Sequence, residues 1–146
     1  MMKVISWNYR GLRGSSKVEA LKDIVKTEKP DILLIQETKM RVVETMELSR
    51  FWKNYHGKSI SSKGDYGGIT TLVSSKFSII SIREINHWLL AEIQEKDDPT
   101  SIYICNVYGP THYIDKVVFW EYLSKLKENL RGKHLSLAGD FNTTKS

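Results

Sequence analysis

Pro30-Asp31-Ile32-Leu33-Leu34-Ile35-Gln36-Glu37-Thr38 decides how this chain is read. Proline ends whatever helix precedes it and pushes its neighbour toward extended backbone. Four consecutive aliphatic residues then leave no polar face, as expected of a strand covered on both sides rather than one lying half in water. Gln36 and Glu37 follow at once, so the strand ends by presenting polar groups. In α/β sheets, that end is where ligands bind.

Working outward, the chain alternates strands and helices. Val4–Asn8 reads as a first buried strand, and Tyr9 to Ser15 as a loop loosened by Gly11 and Gly14. Ser16-Lys17-Val18-Glu19 has the capping-box spacing that opens a helix, whose apolar stripe is Val18, Leu21, Ile24 and Val25. Met40 to Trp52 is a poorly patterned helical candidate. Strands are expected at Gly57–Ser61, Gly68–Ser74, Ser78–Glu84, Trp88–Gln94 and Ser101–Val107, separated by turn-forming clusters. A helix from about Tyr113 to Leu130 carries Phe119, Tyr122, Leu123, Leu126 and Leu130 on one stripe, and His134 to Ala138 reads as a last strand. This order predicts a mixed sheet with the helices covering one face.

The composition bounds the rest. With 146 residues and 40% hydrophobic content, the chain forms one globular domain over 1–146. The longest aliphatic run is too short to span a membrane, and the amino terminus enters a strand pattern directly, so no signal peptide or membrane association is expected. One cysteine, Cys105, suits a reducing compartment, nuclear or cytoplasmic rather than secreted. The net charge of +5 is uneven: residues 1–76 hold 14 Lys and Arg against 8 Asp and Glu, giving +6, and residues 77–146 hold 8 against 9, giving −1. A basic front half favours an anionic partner such as nucleic acid, although a solvated Lys-rich surface gives the same count.

Chemistry concentrates at strand ends. Glu37 follows an aliphatic strand, where its carboxylate could hold a hard cation that keeps waters and phosphate as its other ligands. The alternative is an ordinary exposed Glu. Asp140 and Asn142 in Gly139-Asp140-Phe141-Asn142 lie two apart, on one face of an extended chain. The carboxylate can take a proton from an attacking water, and the amide can donate to a phosphate oxygen. An Asx-rich turn has the same residues. Asn8 closes the first strand, and Tyr108 could place its phenol hydroxyl on a phosphate. His56, His87, His112 and His134 show no metal-ligand spacing.

Five segments in order, Trp7-Asn8-Tyr9-Arg10-Gly11-Leu12, Leu34-Ile35-Gln36-Glu37-Thr38-Lys39, Gly67-Gly68-Ile69, Asn106-Val107-Tyr108-Gly109-Pro110 and Gly139-Asp140-Phe141-Asn142, resemble the endonuclease/exonuclease/phosphatase superfamily. Within it they are most similar to the endonuclease domain of plant LINE-type (non-LTR) retrotransposons. The resemblance implies a DNase I-like four-layer α/β sandwich and Mg²⁺-dependent nicking of DNA, with Mn²⁺ as a substitute metal. By the same resemblance Glu37 binds the metal and Asn8 supports it. Tyr108 contacts the scissile phosphate, Asp140 activates water, Asn142 stabilises phosphoryl oxygens, and Arg10 and Lys39 lie near the DNA backbone.

Family sequences continue into a second half that ends in Ser-Asp-His, a triplet these 146 residues do not contain. The expectation is therefore a truncated domain, the front half of the sandwich, with two main helices on one face of a single sheet and the second sheet layer missing. Its nicking should be crippled. A catalytically inactive remnant that binds nucleic acid or a protein partner is one alternative, and a phosphatase or lipid phosphodiesterase of the same superfamily is another. A missing layer would also leave an apolar sheet face, including Leu72, Ile102 and Ile104, open to self-association.

Overall fold

A computed structural model of the chain describes residues 2–8, 15–36, 54–63, 66–85, 88–108 and 113–140, with the side chains of 2–8, 19–36, 54–60, 68–85, 88–107 and 120–136. In chain order its elements are β1 (Val4–Asn8), α1 (Ser15–Glu28), β2 (Ile32–Gln36), β3 (Tyr55–Lys63), β4 (Tyr66–Ser74) and β5 (Phe77–Ile85). They continue with β6 (Trp88–Glu95), β7 (Ser101–Tyr108), α2 (Tyr113–Asn129) and β8 (His134–Asp140). The helix expected over Met40 to Trp52 lies outside the described residues.

The strands form two four-stranded sheets, ordered β1-β2-β4-β3 and β5-β6-β7-β8. In the first, β1 runs parallel to β2 while β4 pairs antiparallel with both β2 and β3. In the second, β5, β6 and β7 form an antiparallel run, and β8 lies parallel to β7. Each parallel pair is joined through a helix, as parallel strands require.

The α/β class and the DNase I-like sandwich hold, but two expectations about layers do not. Both sheets are present, packed face to face, and the helices cover opposite outer surfaces. Leu21 and Val25 of α1 pack on Leu33, Ile35 and Leu72 of the first sheet. Leu123 and Leu126 of α2, with Leu130 just beyond it, pack on Trp88, Leu90, Cys105 and Val107 of the second. Between the sheets lie Ile32, Leu34, Val73, Phe77, Ala91, Ile93 and Ile104. The layers are thus helix, sheet, sheet, helix.

The physical reason for the error sits at Ser75 and Lys76. Strands joined by so short a link commonly pair in one sheet, yet here the link carries the chain from one sheet to the other. β4 keeps its partners in the first sheet and β5 pairs only with β6. Phe77, buried at the start of β5, inserts between the layers and holds the switch.

The premise for self-association falls with the single-sheet picture. Leu72 is 3% exposed beneath α1 and Ile104 is 1% exposed between the sheets, with Ile102 partly buried against the same inter-sheet cluster. The apolar residues expected on an open face are the core. β2 is buried at all five positions, as its sequence predicts, because α1 covers one side and the second sheet the other. Gly57 marks a close approach of β3 to β4: a Cβ there would lie 1.8 Å from the carbonyl oxygen of Thr71. In β5 the pairing register shifts between Ile79 and Ser81, a bulge that leaves Ile80 unpaired and 51% exposed.

Candidate active site at the carboxyl ends of four strands

Alternation sorts the polar residues onto one interface. In β1, Val4 packs between the sheets while Ile5 and Trp7 face α1, so Ser6 and Asn8 share the inner parity. In β2, Ile32 and Leu34 are inner, and Gln36 continues that series. In β7 the inner series is Ile102, Ile104, Asn106. Tyr108 is the next register position of that parity, and it pairs with Asp140 across the parallel ladder. Asn8 pairs in the same way with Gln36. In β2 and β7 the inner series is apolar until the carboxyl end, where it turns polar at Gln36 and Asn106.

The two parallel pairs meet there. β1 lies beside β8, and β2 contacts both β7 and β8. Of the residues expected to carry chemistry, the structure therefore gathers the backbone positions of Asn8, Tyr108 and Asp140 at one end of the sandwich, with Gln36, immediately before Glu37, among them. Asn8 is half-buried and its Oδ1 is enclosed by protein. Glu37, Arg10, Lys39 and Asn142 lie outside the described residues, as do the side chains of Tyr108 and Asp140.

Beneath these positions is a buried polar network that reading the sequence missed. Gln36 is 1% exposed and Asn106 is fully buried. Gln36 Nε2 donates to Ser6 Oγ at 3.1 Å and to Asn106 Oδ1 at 2.9 Å. Asn106 Nδ2 donates in turn to the Thr70 carbonyl at 2.9 Å and to Thr71 Oγ1 at 3.2 Å. One amide from each sheet thus spans the gap that aliphatic side chains fill everywhere below. Both residues carried a legible signal, because each is the polar terminus of a period-two apolar series: Ile32-Leu34-Gln36 and Ile102-Ile104-Asn106.

The opposite end of the strands is held by charge. Lys3 N donates to Asp31 Oδ2 at 2.7 Å, Lys3 Nζ pairs with Glu28, and Lys76 Nζ lies 3.9 Å from Asp31 Oδ1. The Tyr55 hydroxyl donates to the Pro30 carbonyl. Burial, with the nearby Asp31 carboxylate, raises the Tyr55 phenol above its ordinary value.

The donor chemistry at the carboxyl ends suits a hard cation. Asn8 and Asp140 bring oxygen donors, with no thiol or imidazole among the gathered positions. Among the described residues, no three His, Cys, Asp or Glu side chains cluster as a metal site. No described helix is long and apolar enough to cross a membrane.

Several known proteins are similar to this chain. A curated relative, recombination repair protein 1 of Drosophila melanogaster, is 28% identical over 75% of this chain and 16% of its own length. A solved structure of D. rerio TDP2 complexed with single-strand DNA product matches 99% of this chain and 62% of that one, with TM-score 0.78 and 16% identity. A Bacteroides thetaiotaomicron mannosyl-6-phosphatase matches 99% of this chain and 67% of its own, with TM-score 0.78 and 18% identity. The human Nocturnin catalytic domain with bound sulfate matches 98% and 64%, with TM-score 0.73 and 14% identity. The chain thus spans about two thirds of these solved structures and a small part of the curated relative. At such identities the structural matches establish the fold. The sequence profile of the endonuclease/exonuclease/phosphatase family, whose members cleave phosphodiester or phosphate ester bonds and generally depend on a divalent metal, matches residues 5–146, and the chain belongs to that family.

Proposed function

We propose that the site hydrolyses phosphodiester bonds in DNA with Mg²⁺, in the manner of a LINE-type nicking endonuclease. The observation that carries this reading is the gathering of Asn8, Tyr108 and Asp140, with Gln36 beside Glu37, at one end of two facing sheets. Glu37 and Asn8 would hold the cation, which supplies Lewis-acid stabilisation of charge on the phosphoryl oxygens.

The chain's own residues do the rest. Asp140 takes a proton from water as the water oxygen attacks phosphorus. The bond from phosphorus to the 3′ oxygen breaks and that oxygen takes a proton from solvent, leaving a 3′ hydroxyl and a 5′ phosphate. Tyr108 and Asn142 donate hydrogen bonds to the non-bridging oxygens, where negative charge develops. Arg10 and Lys39 orient the strand by contacts to flanking phosphates, which position without reading sequence. The +6 charge of residues 1–76 favours a polyanion over a small sugar phosphate.

The experiment follows supercoiled plasmid in Mg²⁺ and in EDTA. Loss of even one transition-state donor costs ~10²–10³ in rate, and the Ser-Asp-His triplet is absent from these residues, so only slow nicking is expected from the 146-residue chain. That nicking should vanish in Asp140→Asn and Glu37→Ala. Release of phosphate from a sugar phosphate with the plasmid left intact overturns the nuclease reading in favour of a phosphatase. Salt-sensitive DNA binding without any nicking overturns it in favour of an inactive nucleic-acid-binding remnant.

A further inference from the structure

The amide pair between the sheets does more than satisfy buried polar groups. The cluster beside it between the sheets, Ile32, Leu34, Val73, Phe77, Ala91, Ile93 and Ile104, is aliphatic or aromatic, and such contacts tolerate sliding because they have no preferred direction. An amide-amide bond does not. Gln36 Nε2 must reach both Ser6 Oγ and Asn106 Oδ1, while Asn106 Nδ2 must reach both the Thr70 carbonyl and Thr71 Oγ1. These four bonds tie β1, β2, β4 and β7 into one register, at 1% and 0% exposure for the two amides. Breaking any one strands a buried donor or acceptor, so the register has one satisfied state.

The location gives this register a consequence. Gln36 immediately precedes Glu37 and pairs with Asn8. Asn106 lies two residues before Tyr108, on the strand that pairs Tyr108 with Asp140. A slip of one sheet past the other would separate Asn8 and Gln36, carried by the first sheet, from Tyr108 and Asp140, carried by the second.

We propose that Gln36 and Asn106 are positioning residues: their bond across the sandwich sets the distance between the two halves of the metal and phosphate site. This inference rests on the reading of that site as a divalent-metal centre. Groups that orient metal ligands without touching the metal typically change metal affinity by 10–100-fold when removed.

The test is a Mn²⁺ titration by electron paramagnetic resonance on the whole chain, with melting followed on the same samples. Gln36→Leu and Asn106→Leu are each expected to weaken Mn²⁺ binding at least tenfold. The double variant should weaken binding by less than the two singles combined, because both remove the bond that the amides share. Val73→Ala, in the inter-sheet core but outside the network, should lower the melting temperature while leaving Mn²⁺ affinity within about twofold. Should the leucine variants not fold, the near-isosteric Thr71→Val and Ser6→Ala remove one acceptor each and are expected to weaken binding about threefold, a smaller share of the outer-shell effect. Unchanged affinity in variants that melt lower overturns the positioning role and leaves the network purely structural. Absence of Mn²⁺ binding in the unaltered chain overturns the metal reading itself, and the positioning role falls with it.

Discussion

The two strand-helix-strand units of this molecule, β1-α1-β2 and β7-α2-β8, are built alike and laid down in opposite order. Each joins a parallel pair through a helix on the outer surface. In the first unit the leading strand is at the sheet edge and the second strand is inside. In the second unit the leading strand is inside and the last is at the edge. Because the order is reversed, β1 and β8 come to lie side by side when the sheets stack. Four carboxyl strand ends then share one place, although no two of the residues there need be close in sequence. Reversing a common motif is thus enough to bring these strand ends together.

That comparison can be broken at its shared layer. Leu34 from the first unit and Ile104 from the second are 0% and 1% exposed in the same inter-sheet cluster. Leu34→Ala and Ile104→Ala should each destabilise by about 2–5 kcal/mol in chemical denaturation. A large loss at Leu34 with a loss below about 1 kcal/mol at Ile104 would mean that the two units do not pack as one layer.

Alkaline titration sharpens the comparison from the outer faces. Burial pushes the Cys105 thiol, on the helix side of β7, up from 9.0 to about 12. Folding therefore favours its protonated form. Below pH 9.0 both states keep the proton and this contribution is fully present; between 9.0 and about 12 the unfolded chain alone releases it. Stability should fall across that window by about 1.4 kcal/mol per pH unit. Tyr55 in the first unit's sheet has the same sign, its phenol being raised above 10.0, so its contribution begins to be lost at pH 10.0, within the Cys105 window. Cys105→Ala should flatten the limb from its start at pH 9.0, and Tyr55→Phe should change it only above pH 10.0. A limb starting at pH 9.0 that survives Cys105→Ala assigns it to another group.

The smallest effect is expected where neither unit reaches. Ile80 on the far edge strand is 51% exposed, and Ile80→Ser should change stability by no more than about 0.5 kcal/mol. A larger loss would place Ile80 against something in solution.

Much of this was legible in one dimension, for physical reasons that also explain the failures. Ile32 to Ile35 could be read as covered on both sides because continuous apolarity has no other use in a short strand. Strand positions were sound because period-two patterning is local. Layer assignment was not, since alternation tells which residues share a face but not which strand a face meets. The strands on either side of Ser75-Lys76 were therefore assigned to one sheet when the link is a change of sheet, and Leu72 and Ile104 passed for an open surface. At the site, the positions of Asn8, Tyr108 and Asp140 followed from strand ends alone. Gln36 and Asn106 were overlooked because an amide at the end of an aliphatic series resembles the start of a loop until its partner on the other sheet is known.

The bulge at Ile80 has a consequence for the behaviour of the protein in concentrated solution. β5 is the outermost strand of its sheet, and a regular outermost strand offers unpaired amide and carbonyl groups on which another chain can polymerise. The extra residue interrupts that row and increases the local twist. It also lets Phe77, Ile79 and Ile82 all reach the layer between the sheets despite their uneven spacing. Deleting Ile80 would keep this inward set, now evenly spaced, and straighten the border into an unbroken template. One exposed residue thus keeps this border from being a continuous template.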